Sequence, residues 1–195
     1  SKGRSNEINK AIKIILKSNK PVFIVGGGIK YTAKYKEVIK LAELLNIPIT
    51  TAAGHGDAIP FNHRLNAGQM GPRGNAVASK LVKEADVIIA LGTRLGFNST
   101  FYSYENLNKK AKIIQVELEK KMIGRYFPVV VGICADAATA TKQIYQEIKK
   151  RGAKLDIQKW TSNYLKERKI FLNSINNHKS LNKFPIQPLG LFKQL

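Results

Sequence analysis

The stretch Pro21-Val22-Phe23-Ile24-Val25-Gly26-Gly27-Gly28 decides the fold. Its apolar run is too short for a helix and has no polar alternation, so it predicts a strand buried on both faces, as in a parallel sheet. Working outward, Ile8, Ala11, Ile12, Ile15 and Leu16 recur at helical spacing before it, and Tyr35, Val38, Ala42 and Leu45 after it. Further strands are predicted from Pro48 to Thr51, Val87 to Leu91, Ile113 to Val116 and Val129 to Ile133. Ala78, Leu81, Val82 and Ala85 mark one intervening helix, and Ala137, Ala140, Ile144 and Ile148 a final one. Strands alternating with helices predict a doubly wound α/β sheet.

Composition is consistent with this class. The 195 residues are 44% hydrophobic and 24% charged, which suits one globular domain with a tail. No apolar run approaches membrane-spanning length, so no membrane partner is expected. The single cysteine, Cys134, excludes an intramolecular disulfide and points to a reducing, cytoplasmic setting. It lies in Val-Val-Val-Gly-Ile-Cys and is expected to be a buried, inert thiol. The net charge of +20 is spread over helix faces, for example Lys10, Lys13 and Lys17, or Lys142, Lys149 and Lys150. A nucleic-acid groove would gather such lysines in one stripe with aromatics between them, so no nucleic-acid partner is expected. A secondary reading of the charge is attraction of anionic metabolites or acidic partners.

The segment Gly56 to Gly74 carries neither β nor helical period. It is read as a long functional loop whose glycines allow close approach of a ligand or a second chain segment. In an open parallel sheet, ligands bind beyond the carboxyl ends of the strands, and several candidates fall there. Gly26, Gly27 and Gly28 read either as a phosphate-cradling turn or as a tight strand-to-helix turn. Arg94 follows a strand and Gly92-Thr93, where an arginine can pair with a pyrophosphate or stack on a ring. Glu117 closes the next strand, the place of a carboxylate that accepts from a ribose hydroxyl. Asp136 stands at a strand-to-helix junction, where capping the helix is the simpler reading. His55 and His63 lie near the loop and His178 in the tail, without ligand partners at metal spacing, so no metal site is expected. No GxSxG elbow or HExxH helix occurs, and no catalytic residue is expected in the chain.

Beyond Arg151-Gly152 the sheet pattern stops. Trp160, Tyr164, Phe171 and Ile175 predict one amphipathic helix, and Phe184-Pro185-Ile186-Gln187-Pro188 opens a new segment. The expected organisation is a central domain over 1–151, a helical linker over 152–184, and the start of a further domain over 185–195. The chain is thus expected to be a piece of a larger protein.

Several phrases occur together in order: KPVFIVGGG; the loop with Pro60, His63, Gly68, Gly71 and Gly74; ADVIIALGTR; and Glu117 to Asp136, closing on Ala-Asp-Ala. Through them the chain from Ile8 to Lys150 resembles the central, Rossmann-like domain of thiamine-diphosphate enzymes of the acetolactate synthase superfamily. The resemblance implies a mainly parallel, six-stranded sheet. It implies thiamine diphosphate and magnesium bound by the parent's first and third domains, outside this chain, in a homodimer or homotetramer. It also implies carbanion chemistry on a small keto acid or aldehyde, with the cofactor as electron sink. The central domain of such enzymes binds FAD, ADP or nothing, at positions matching Arg73, Arg94, Glu117 and Asp136. Arg94-Leu95-Gly96-Phe97-Asn98 replaces the flavin members' Arg-Phe-Asp-Asp-Arg, and Glu117 replaces their Asp; both changes weigh against FAD. LGTRLGFNSTF, KIIQVELEKKMIG and VGICADA are more similar to the sulfoacetaldehyde acetyltransferase branch, which converts sulfoacetaldehyde and phosphate to acetyl phosphate and sulfite. The alternatives are acetolactate synthase or a related carboligase or decarboxylase and, in another class, a non-catalytic nucleotide-binding module.

Overall fold

The computed structural model describes residues 1–176. Helix α1 (Ser5–Ile15) leads into β1 (Pro21–Val25), then come a short turn of helix α2 (Gly27–Lys30), α3 (Tyr35–Leu45) and β2 (Ile49–Thr51). They are followed by β3 (Asn66–Gln69), α4 (Ala76–Glu84), β4 (Val87–Leu91), the short α5 (Phe97–Thr100) and β5 (Lys112–Glu117). The last strand, β6 (Val131–Cys134), precedes α6 (Ala137–Arg151) and α7 (Gln158–Asn176). The six strands form one parallel sheet in the order β3-β2-β1-β4-β5-β6.

β1 and β4 pair along their whole lengths, Pro21 against Val87 through Val25 against Leu91, and every residue of both is buried. Helices cover both faces, so these central strands have no solvent side and no alternation. On one face α3 and α6 pack together, with α1 beside α6; α4 covers the β3 edge on the other. Asp86 fixes the entry to β1, its two carboxylate oxygens accepting from the N–H groups of Asn19 and Lys20 at 2.7 and 2.9 Å.

The sixth strand lies inside the glycine loop, where no period predicted one. β3 is a four-residue edge strand with a register shift against β2. Its position is set by side chains rather than propensity. Asn66 Nδ2 donates to the carbonyls of Ile59 and Pro60, and Asn75 Nδ2 to that of Ala67. The loop is thus a folded layer over the sheet edge.

Cys134 corrects another expectation. It is exposed, its Sγ within 3.5 Å of the Leu118 carbonyl oxygen. The run Val-Val-Val-Gly-Ile-Cys looks like a doubly buried strand, but β6 is the other edge of the sheet and its burial alternates.

Helix α7 is tied down at the amino ends of the strands. Trp160 Nε1 donates to the Pro21 carbonyl at 3.0 Å, Thr161 Oγ1 to that of Asn46 at 2.7 Å, and Tyr164 Oη to that of Arg64 at 3.1 Å. The buried phenol of Tyr164 has its pKa pushed well above the ordinary range by desolvation. Arg168 continues the row, donating from Nε to the Asn66 carbonyl at 2.9 Å. The first half of the expected linker therefore packs on the sheet domain. The end of that segment, His178 and the expected further domain over 185–195 lie outside the described residues. Among the described residues no helix is long and apolar enough to cross a membrane.

Candidate functional site

At the carboxyl ends of β1, β2, β4 and β5 the following turns enclose a cleft of about 640 Å³. Strand order reverses between β1 and β4, and the crevice outside such a point is where open α/β sheets bind ligands. The floor of this crevice is closed. Gly28 N–H donates to the Gly92 carbonyl at 3.0 Å, and a Cβ on Gly28 would stand 2.7 Å from Gly92 Cα. Gly26 is pressed equally hard against Gly92 and Thr93. Close backbone packing therefore accounts for Gly26 and Gly28, while Gly27 and Gly28 also form part of the cleft wall.

The loop after β2 supplies His55, and α5 supplies Phe97 and Ser99. Ser99 Oγ accepts from Ala53 N–H at 3.0 Å, which holds the two walls together. Gly71 of the glycine loop abuts α5 from behind: its φ is +99°, and a Cβ there would stand 2.5 Å from the Ser99 carbonyl oxygen. Only glycine satisfies both conditions.

Charge in the cleft is mixed. Arg94 Nη2 lies 3.0 Å from Glu119 Oε1, whose other oxygen is 3.5 Å from Lys121 Nζ. Glu117 Oε1 accepts from the adjacent Leu118 N–H at 2.9 Å. Lys30 and Asp57 pair at 2.8 Å beside the mouth; that hydrogen bond raises the lysine's pKa and lowers the carboxyl's. Burial, and then the charge of Lys30, push His55 below the ordinary imidazole value against a smaller opposing pull from Asp57. Its Nδ1 is buried and finds no hydrogen-bond partner among the described residues, and Tyr31 meets its ring edge-on at 5.9 Å. The arrangement offers binding groups: one cation, one carboxylate and an aromatic wall.

The structure brings Gly27, Gly28, Arg94 and Glu117 to this one cleft. Arg73 is exposed on the glycine loop and is not among the lining residues. Asp136 is also not among them; it caps α6, accepting from Thr139 N–H at 2.8 Å. Burial works to raise the Asp136 pKa, but the Thr139 hydrogen bonds and the charge of Lys34 outweigh it and hold the carboxyl below its usual range. Phe97 and Ser99 lay within the phrase LGTRLGFNSTF but were not singled out, and Tyr31 and Tyr102 had no motif to announce them. For Tyr31 and Tyr102 the available signal was a place in the segments that follow β1 and β4.

Residues 8–144 match the family described as thiamine pyrophosphate enzyme, central domain. The chain belongs to that family. This central domain is 35% identical over 148 residues to the sulfoacetaldehyde acetyltransferase of Castellaniella defragrans, a match covering 75% of the chain and 25% of the relative. It is 38% identical over 143 residues to a probable sulfoacetaldehyde acetyltransferase of Rhizobium meliloti, covering 72% of the chain and 24% of the relative. It is 31% identical over 202 residues to a probable acetolactate synthase large subunit of Methanococcus aeolicus, covering 99% of the chain and 33% of the relative. The central domain thus spans a quarter to a third of the length of these curated relatives.

Proposed function

We propose that the chain is the nucleotide-fold layer of a thiamine-diphosphate- and magnesium-dependent lyase or transferase that converts sulfoacetaldehyde and phosphate to acetyl phosphate and sulfite. The observation that carries this reading is the 35–38% identity to sulfoacetaldehyde acetyltransferases over about three quarters of the chain. The alternative, acetolactate synthase or a related carboligase acting on pyruvate-like keto acids, draws on a 31% identity that extends over 99% of the chain. In either case the enzyme is a homodimer or homotetramer.

Thiamine diphosphate supplies an electron sink when bound. Among the described residues no group of three or more His, Cys, Asp or Glu side chains is placed to hold a metal ion. This reading assigns the magnesium–diphosphate site to other parts of the parent protein. What the chain contributes is the cleft. Its volume of about 640 Å³ lies in the usual range of small-ligand pockets. In this reading it takes a nucleotide: Glu117 accepts from a ribose hydroxyl, and Arg94 turns from Glu119 to a diphosphate. ADP is favoured over FAD, because Leu95-Gly96-Phe97-Asn98 lacks the flavin members' acidic pair. Arg73 and Asp136 are assigned auxiliary places outside the cleft, with Gly26 supporting it from beneath.

The test is a product assay on the whole protein with thiamine diphosphate and magnesium. Acetyl phosphate and sulfite from sulfoacetaldehyde plus phosphate, with no acetolactate from pyruvate, is the expected result. Acetolactate from pyruvate alone selects the alternative.

A further inference from the structure

Gln115 is a polar side chain in the middle of β5, and it is only 2% exposed. Its register neighbours in the sheet are Ala90 on β4 and Gly132 on β6. Side chains in register on adjacent parallel strands share a face, so these two small residues leave room above the sheet beside the glutamine. The turn after β5 fills that room: a Cβ on Gly132 would collide with the Ile123 side chain.

In this space the Gln115 amide is used at both ends. Nε2 donates to the Thr93 carbonyl at 3.1 Å and, more loosely, to the Met122 carbonyl at 3.4 Å. Oε1 accepts from Gly124 N–H at 2.8 Å. Two carbonyls and an N–H can be satisfied together only by a side chain that both donates and accepts. The Thr93 carbonyl belongs to the peptide that leads into Arg94, a residue of the cleft wall. Met122 N–H in turn donates to the Glu119 carbonyl at 2.9 Å. One buried amide therefore bridges the peptide that carries Arg94 and the turn that carries Glu119.

The two side chains so presented meet at 3.0 Å, but they are 49% and 44% exposed, and Lys121 approaches the same carboxylate at 3.5 Å. An exposed pair of this kind contributes little to its own geometry. Hydrogen bonds to a buried amide are costly to break, so the arrangement is set from below.

We infer that Gln115 is the positioning residue of the cleft's cation, fixing the point from which the Arg94 guanidinium reaches Glu119 or a bound anion. The coupling of Gln115 to Arg94 stands on the hydrogen bonds; its consequence for a ligand rests on the nucleotide reading of the cleft.

The first test is NMR of the 195-residue chain without nucleotide. Glu119→Gln should shift the Arg94 Nε–H resonance in the otherwise unsubstituted chain. In Gln115→Met, which has a similar volume and no amide, that resonance should already be displaced, and adding Glu119→Gln should move it little further. The Gly124 amide should exchange more than about tenfold slower than an unstructured one, and lose this protection in Gln115→Met. Should Gln115→Met fail to fold by Trp160 emission, Gln115→Asn, one methylene too short to span the two turns, carries the same comparison. An Arg94 resonance unmoved by either Gln115 substitution, or a Gly124 amide unprotected in the unsubstituted chain, overturns the proposal. The second test is calorimetry with ADP and with adenosine, which lacks the diphosphate. Gln115→Met should weaken ADP about tenfold and leave adenosine unchanged. Equal losses for both would overturn the proposal, by making Gln115 a general support of the cleft. If the unsubstituted chain gives no heat with ADP, the nucleotide reading fails, and the Arg94 resonance decides the coupling by itself.

Discussion

Gly28 and Gly92 meet backbone to backbone where two strand-following turns close the floor of the cleft. A Cβ on Gly92 would stand 2.6 Å from Gly28 Cα, and Gly92 also has a φ of +60°. Gly92→Ala should therefore lower stability by about 2–3 kcal/mol, through overpacking and backbone strain together. Gly96→Ala, four residues on, is the control: its φ is −76° and nothing lies within 4 Å of an added Cβ. It should change stability by less than about 0.5 kcal/mol. Urea denaturation of both variants measures the difference, and equal effects would show that the turns part freely.

Trp160 reports whether α7 belongs to the domain. It is the only tryptophan, its ring is 9% exposed, and its N–H holds the Pro21 carbonyl at 3.0 Å. Its emission should be blue-shifted in the native chain and move to longer wavelength in the same urea transition as the loss of circular dichroism. Trp160→Phe should destabilise by about 1–2 kcal/mol, since the buried carbonyl loses its donor. A solvent-like emission maximum in native buffer would mean that α7 is undocked.

Asp136 caps α6 through Thr139, and its folded pKa is depressed. The unfolded chain therefore takes up this proton more readily, so the stabilisation is present above the ordinary carboxylate value of 3.8 and is lost as pH falls through the lower folded value. Asp136→Ala should cost about 1 kcal/mol near neutral pH, and the gap from the parent chain should narrow in acid. A gap that stays constant through the acid range would assign the effect to packing.

His55 follows the opposite chemistry with the same sign. Burial lowers its folded pKa below 6.5, so between the two values the unfolded state holds the extra proton and stability climbs with pH. His55→Gln should flatten that part of the stability–pH curve, and the imidazole should titrate below 6.5 by NMR. Titration at or above that value would contradict the packing of its ring against the cleft wall.

Legibility in the sequence followed how a residue gets its environment. β1 and β4 could be read directly, because strands covered by helices on both sides leave unbroken apolar runs. β3 could not, because Asn66 and Gly68 are held there by contacts from Asn66 and Asn75 side chains rather than by any preference of their own. Cys134 misled for a related reason: its local run is apolar, but its strand is an edge, which only the strand order reveals. At the cleft, Arg94 and Glu117 were visible from their place after strand ends. The pairing of Arg94 with Glu119 was not, since it joins two different turns. The glycine turn was visible as a motif, but Gly92, its packing partner, lies far along the chain.

Isothermal titration of the chain with ADP tests the central claim, a nucleotide cleft at the carboxyl ends of β1, β4 and β5, most directly. Micromolar binding that disappears in Arg94→Ala and weakens in Glu117→Ala is the predicted result. Absence of heat with ADP, FAD and NAD alike would contradict it and leave the domain as a structural spacer.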